Sequence, residues 1–232
     1  MPIRFIGCNE CRDVVFLVKF SVYYEFADNS VGDLLFYHKN QSRKFAVLYE
    51  VETKYSVSNI NQLLEKLLSF SVVFSEPFEE CDTFYQHPCR DFVETDECLR
   101  IRKSIGEYRM TYKGPKIDTE SKTRREIEIL LTSDPKIAFQ WSELLVAIGV
   151  SPVFELKKLR REAALVFQEQ KIEISLDHLA DLGDFIELEQ CVEKEYCPES
   201  LKTVQSLAST LGLKEPIRES YLELMMKKIQ SS

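Results

Sequence analysis

In the run Tyr49-Glu50-Val51-Glu52-Thr53-Lys54, two carboxylates and an ammonium occupy alternate positions. A β-strand sends successive side chains to opposite faces, so Glu50, Glu52 and Lys54 share one side and Tyr49, Val51, Thr53 and Tyr55 the other. The same signature returns along the chain. Arg100 and Arg102 oppose Leu99 and Ile101, while Arg109, Thr111 and Lys113 oppose Tyr108, Met110 and Tyr112. Arg124, Glu126 and Glu128 oppose Ile127, Ile129 and Leu131; Glu173, Ser175 and Asp177 oppose Ile172, Ile174 and Leu176; Glu187 and Glu189 oppose Ile186 and Leu188.

An antiparallel sheet with one polar face ordinarily turns that face to water. It can also close into a barrel with a polar interior, its apolar outside covered by helices. The sorting of charges favours closure, because some segments carry only Arg and Lys on the polar face and others mostly Glu and Asp. Gathered in one cavity, such groups suit a polyanion bridged by a divalent cation: carboxylates give hard oxygen ligands for Mg²⁺ or Mn²⁺, and Arg and Lys neutralise phosphoryl oxygens. The expected fold is α+β, a closed eight-stranded antiparallel β-barrel with a charged interior and helices packed outside. Candidate strands fall at about 47–55, 82–87, 97–103, 107–113, 124–131, 152–159, 163–168, 170–177 and 184–191, of which eight would close the barrel.

Four apolar stripes at helical spacing supply the outer layer. Ser58 can cap the first, through Ile60, Leu63, Leu64, Leu67 and Leu68. Asp134-Pro135 opens the second, with Ala138, Trp141, Leu144, Leu145 and Ile148 inward and Gly149 at its end. Pro198 opens the third, ending at Gly212, and Pro216 the fourth, through Tyr221, Leu224 and Met225. All four read as core packing rather than as sites.

A net charge of −8 argues against nucleic acid as a partner, since phosphate neutralisation drives nonspecific binding. Seven cysteines scattered over 232 residues suit reduced thiols in a cytoplasm better than a disulfide framework. Cys8-x-x-Cys11 lacks a second ligand pair at zinc spacing, and Cys89, Cys98, Cys191 and Cys197 read as small buried or half-buried side chains. The most apolar run, Val14 to Phe26, contains Lys19 and Glu25 and falls short of the about 20 apolar residues a spanning helix needs, so no membrane partner is expected.

The order Glu50-x-Glu52-x-Lys54, Arg100-x-Arg102, Tyr112-Lys113-Gly114-Pro115, Thr123-Arg124-x-Glu126-x-Glu128, Lys158-x-Arg160 and Asp177-His178-Leu179-x-x-Leu182-Gly183-Asp184-Phe185-x-Glu187-x-Glu189 resembles the CYTH superfamily, the triphosphate tunnel metalloenzymes. The stretch from His87 to Phe92, then Thr95 to Arg100, and the ending Arg218 to Leu224 look most like its class IV adenylyl cyclase branch. The resemblance implies a tunnel enzyme for a triphosphate-bearing small molecule. Its expected reaction is conversion of ATP to cyclic AMP and pyrophosphate; hydrolysis of tripolyphosphate or thiamine triphosphate is the alternative. A noncatalytic polyphosphate- or nucleotide-binding module would belong to a different class.

On this basis Lys54, Arg100, Arg102, Lys113, Arg124, Lys158 and Arg160 form the expected phosphate clamp. Glu50, Glu52 and Glu187, then Glu189 and Asp177, are the expected ligands for Mg²⁺ or Mn²⁺. Glu126 and Glu128 would orient basic residues or hold a second ion, and His178 should point to the apolar side. Glu50, Glu52 and Lys54 carry the expected catalytic roles, with Lys54 or a water on the metal as base. A homodimer is compatible with the sequence. The domain is expected over residues 47–232, and residues 1–46 have no counterpart in the resemblance. They read either as an extra hairpin or partner-binding arm, or as a disordered extension, or as the result of a start codon assigned too far upstream, with an alternative start at Val47 or Leu48; the misassigned start is preferred.

Overall fold

A computed structural model describes residues 48–231. The expectations placed on residues 1–46, including Cys8-x-x-Cys11, lie outside the described residues. The described chain forms β1 (Leu48–Val57), α1 (Ile60–Ser69), β2 (Phe78–Gln86), β3 (Cys98–Ser104), β4 (Glu107–Lys116), β5 (Arg124–Thr132) and α2 (Pro135–Ala147). There follow β6 (Ser151–Phe167), β7 (Gln170–Leu179), β8 (Gly183–Glu193), a short 3₁₀ turn, α3 (Cys197–Leu211) and α4 (Tyr221–Ser231). The strands close in the order β1-β5-β4-β3-β2-β6-β7-β8, every neighbouring pair antiparallel.

The ninth expected strand disappears because 152–159 and 163–168 are one strand, β6, running through Arg160-Arg161-Glu162. Its charges mark no turn: Arg160 stands opposite Asp177 and Glu162 opposite Ser175 on β7. β2 starts at Phe78, ahead of the expected 82, which brings Glu80 into the barrel wall.

The seam between β1 and β5 is short, with Tyr49 opposite Arg125 and Glu50 opposite Arg124. Beyond it β1 finds other partners. Lys122 N–H donates to Glu52 C=O at 3.0 Å and Ile217 N–H to Lys54 C=O at 2.7 Å. A connecting segment and the approach to α4 thus satisfy backbone groups that a neighbouring strand would otherwise take.

The main apolar core lies outside the barrel. Tyr55, Ile172, Ile174, Leu176, Ile186 and Leu188 turn outward and bury against Leu63 and Leu67 of α1 and Val204, Leu207 and Leu211 of α3. α3 ends where Gly212 takes φ 75, a left-handed cap that costs glycine little, and Leu213 N–H then bonds Ala208 C=O at 2.9 Å. Asn59, not Ser58, caps α1, its Oδ1 accepting from Gln62 N–H at 3.1 Å; Ser58 follows directly on β1, one residue too early. α4 starts at Tyr221 rather than near Pro216. Ser220 and Glu223 exchange a capping pair, Ser220 N–H to Glu223 Oε2 at 2.6 Å and Glu223 N–H to Ser220 Oγ at 3.1 Å.

α2 departs most from expectation. Asp134 caps it as anticipated, but only Ala138 and Leu145 are buried, while Trp141, Leu144 and Ile148 stand exposed. Helical spacing marks a stripe without saying how much of it is covered. Likewise Cys89 and Cys191 are exposed, not buried.

One end of the barrel is plugged from within. Phe84, Leu156, Leu179 and Phe185 continue the inward-facing rows of β2, β6, β7 and β8, and they pack against Tyr221, Leu222, Leu224 and Met225. The interior is therefore charged along its length and apolar beneath α4.

Candidate functional site: a charge-lined cavity inside the barrel

Register places the sequence-predicted residues together. On β1 and β8, Glu52 stands opposite Glu189 and Lys54 opposite Glu187; on β7 and β8, Glu173 also stands opposite Glu189. Like charges directly across a strand pair repel, so this arrangement opposes folding and points to a ligand. Oxygens of Glu50, Glu52 and Glu189 all lie within 4.8 Å of one another.

These residues line a cavity of about 640 Å³ that reaches a rim at Leu48, Ile105 and Glu107. Arg100, Arg102, Lys113, Arg124, Lys158 and Arg160 all face it. Lys54 is fully buried on the same inward row, its Nζ 4.0 Å from the Tyr221 ring centroid. Glu126 faces the cavity and pairs with Lys113 at 3.2 Å. Glu128 sits near the rim, accepting from Arg109 at 3.2 Å and Thr111 at 3.1 Å. His178 lies on the exposed outside, its Nδ1 2.7 Å from Asp184.

The carboxylates divide into two groups. Asp177 is saturated with donors: Arg160 Nε at 2.7 Å and Nη2 at 2.6 Å, Lys158 Nζ at 3.0 Å and the Tyr221 hydroxyl at 2.9 Å. Glu187 accepts from Arg160 at 2.7 Å and lies 3.6 Å from Lys122. Glu50, Glu52 and Glu189 form the other group, in which Lys113 donates to Glu50 and Lys122 to Glu52.

Titration sets Glu189 and Glu52 apart from Glu187. Burial pushes the Glu189 carboxyl well above its usual range, and repulsion from Glu50 and Glu52 adds to it. Glu52 is raised by burial and then by Glu187. At Glu187, burial also favours the neutral acid, yet Lys122, Lys158 and Arg160 outweigh it and hold the group well below the usual value. Burial and the neighbouring Lys122 bring Lys54 down to about 7.

Four contributors escaped the sequence reading. Glu80 and Asp82 on β2 hold the basic wall: Arg102 reaches Asp82 at 2.6 Å and Glu80 at 2.9 Å, Arg100 reaches Asp82 at 3.3 Å, and Lys158 reaches Glu80 at 3.2 Å. The alternation Phe78-Glu80-Asp82-Phe84 carries that signal. Lys122 enters from a nonperiodic connection and has none. Tyr221 occupies a helical stripe that reads as core, yet it lines the cavity and stacks edge-on against Phe185 at 5.2 Å.

Two guanidinium groups retain unused donors. The Nε atoms of Arg100 and Arg124 are buried without a hydrogen-bond partner, as is Lys54 Nζ. Among the described residues Arg124 has no carboxylate within ion-pair distance, so its charge is directed into the cavity rather than spent on the wall.

The closed barrel thus gathers Glu50, Glu52 and Glu189 into one cluster and presents Arg and Lys side chains from much of the remaining wall of the same cavity. The chain belongs to the CYTH domain family, which it matches over residues 48–221. It is 34% identical over 181 residues to a Methanocaldococcus jannaschii protein named "Putative adenylate cyclase", covering 76% of this chain and 98% of that one. The solved structure of the PH1819 protein from Pyrococcus horikoshii is 40% identical, with a TM-score of 0.67 over 77% of this chain and 99% of that one. A Hippeastrum protein described as a "Putative adenylyl cyclase" with dominant triphosphatase activity shares the fold at 16% identity and a TM-score of 0.52, over 78% of this chain and 96% of that one. No helix among the described residues is long and apolar enough to cross a membrane.

Proposed function

We propose that this chain is a metal-dependent enzyme acting on a triphosphate-bearing small molecule, most simply a class IV adenylyl cyclase-like enzyme that converts ATP to cyclic AMP and pyrophosphate. The observation that carries the reading is the pairing, inside one closed barrel, of the Glu50, Glu52 and Glu189 cluster with buried cations whose donors are unspent. Family membership and the relative named as a putative cyclase, matched over 98% of its own length, support it.

The three carboxylates fit a hard divalent cation such as Mg²⁺ or Mn²⁺: they offer oxygen ligands only, and their mutual repulsion is relieved by added positive charge. Held by Glu50, Glu52 and Glu189, such an ion would supply Lewis-acid stabilisation of phosphoryl charge. The chain's own residues do the rest. Arg100, Arg102, Lys113, Arg124, Lys158 and Arg160 neutralise a chain of three phosphates, and Glu80, Asp82 and Asp177 hold three of these guanidinium groups in orientation. Lys54, next after Glu52 on the inward row of β1 and brought down to about 7, stands between its charged and neutral forms near neutral pH. In the cyclase reaction the ribose 3′-oxygen bonds to the α-phosphorus, the bond to the β-phosphate bridging oxygen breaks, and pyrophosphate leaves while the hydroxyl proton passes to a base.

A triphosphatase, with water attacking the terminal phosphorus, is the second reading. The lining favours it as much as the first, because it is built to grip phosphates. Full-length protein with Mg²⁺ or Mn²⁺ should be offered ATP, tripolyphosphate and thiamine triphosphate while cyclic AMP, pyrophosphate and orthophosphate are quantified. Cyclic AMP with equal pyrophosphate is expected. Orthophosphate from tripolyphosphate without cyclic AMP would replace the cyclase by the second reading, and no product from any substrate would remove both.

The carboxylate cluster also sets a pH dependence. Because the folded-state pKa of Glu189 lies above its unfolded value of about 4.3, the group costs stability as pH rises past that value, until the folded value is passed. Glu189→Gln should therefore raise the metal-free melting temperature at pH 8 by about 2–4 °C, equivalent to about 1 kcal/mol, while weakening metal binding. Calorimetric melting with a chelator and then with Mg²⁺ reads both effects; a lowered metal-free melting temperature contradicts the assignment.

A further inference from the structure

Two lysines reach the carboxylate wall, and they are used differently. Lys113 Nζ joins Glu50 to Glu126, the latter at 3.2 Å and outside the Glu50, Glu52 and Glu189 cluster. Lys122 Nζ joins Glu52 to Glu187, the latter at 3.6 Å, and both of these are expected metal ligands. Glu52 and Glu187 are diagonal neighbours across β1 and β8, since Glu52 stands opposite Glu189 and Lys54 opposite Glu187. Two buried carboxylates so placed need a shared positive charge, which either a divalent ion or an ammonium can supply. We propose that Lys122 fills a second cation position on this wall, between Glu52 and Glu187, so that the triphosphate-free protein takes one divalent ion, at Glu50, Glu52 and Glu189, and not two. The inference rests on the metal-dependent reading above and adds how many ions the carboxylates accept.

The position is built into the fold. Lys122 is 4% exposed, so its ammonium is withdrawn from water and held by those two partners. Glu187 turns Oε1 to Lys122 and Oε2 to Arg160, the latter at 2.7 Å, which leaves neither oxygen open to a further ion. The main chain of Lys122 is fixed at the same place, its N–H donating to Glu52 C=O at 3.0 Å, one step beyond the pair of Glu50 with Arg124. The turn that delivers it is locked as well. Asp118 Oδ1 accepts from Glu120 N–H at 2.9 Å and Ser121 N–H at 2.7 Å, and its Oδ2 from Ser121 Oγ at 2.8 Å. Ile117 N–H bonds Thr123 C=O at 2.9 Å, and Arg218, ahead of α4, donates to the carbonyls of Asp118 at 2.7 Å and Ser121 at 3.2 Å. A lysine side chain loses rotamer freedom when pinned, and here that loss falls on folding. An incoming ion would have to displace an ammonium already in place.

The test counts Mn²⁺ ions bound by the full-length protein without triphosphate, using calorimetry and equilibrium dialysis. Wild type should bind one and Lys122→Gln two. Lys113→Gln removes the same charge from the same wall and should stay at one, because its partner Glu126 lies outside the cluster. If Lys122→Gln folds only with ions present, folding it in Mn²⁺ before dialysis gives the same count. Two ions in the wild type, one in Lys122→Gln, or two in Lys113→Gln overturns the assignment of Lys122 and leaves the metal-dependent reading standing. No ion in any of the three proteins removes that reading itself.

Discussion

Replacing Glu52 by Gln should lower turnover by about a thousandfold or more with the barrel intact, and Glu50→Gln should do the same. Both side chains are at most 5% exposed and share the inward face of β1, so an isosteric amide fits without repacking. What changes is charge. Either substitution removes one anionic oxygen ligand from the three-carboxylate cluster. The fold should not suffer, because burial and Glu187 already disfavour the ionised form of Glu52, and Lys122 keeps Glu187 at 3.6 Å when its Glu52 partner becomes neutral. Divalent-ion titration by calorimetry should show weakened binding in parallel with lost product. Full activity with unaltered metal dependence in both variants would remove the metal assignment.

Arg160→Ala should have the largest effect on stability, a loss of about 3–5 kcal/mol. Arg160 is 6% exposed and touches Asp177, Glu187 and, at 3.6 Å, Glu80. Removing it strands buried carboxylates that lose their principal counterion. The acid limb should move as well. Glu187 has a folded-state pKa below the unfolded one, so its stabilisation is present above about pH 4.3 and disappears as pH falls through the folded value. Without Arg160 that value rises, and acid unfolding should begin at higher pH. Arg124→Ala provides the contrast: with no ion pair to lose, it should leave melting nearly unchanged and weaken triphosphate binding at least about tenfold. Denaturant melts at pH 7 and pH 5 read the first prediction; a loss under about 1 kcal/mol for Arg160→Ala would mean that the remaining lysines suffice.

Much of this site was legible because strand geometry converts spacing into direction. Once Glu50 points inward, Glu52 and Lys54 must follow, and the same logic carried Arg100 and Arg102 and the Glu187 and Glu189 pair into the cavity. Period alone could not rank the carboxylates. Asp177 and Glu189 look alike in sequence, but one is surrounded by Arg160, Lys158 and Tyr221 and the other faces Glu50 and Glu52. Nor could it reach Lys122, which lies on no regular element, or distinguish Tyr221 from core, since a helix uses one spacing for both. At α2 the limit was physical: an apolar stripe records compatibility with burial, and Trp141, Leu144 and Ile148 stand exposed nonetheless.

The pairing of the first described strand with the last, from Leu48 opposite Glu193 to Val57 opposite Asp184, has a consequence for the timing of synthesis. Neighbouring strands such as β3, β4 and β5 can pair as soon as they emerge, since each meets its successor through a short connection. β1 cannot: along most of its length its partner is the final strand, separated by more than a hundred residues of chain, a connection slow to form. Until β8 leaves the ribosome, Glu50 and Glu52 have no Glu189 beside them and Lys54 no Glu187. The nascent protein therefore stays without its carboxylate cluster through most of translation and gains it in a single late event. Any shortened product that ends before Glu189 is predicted to be inert rather than partly active.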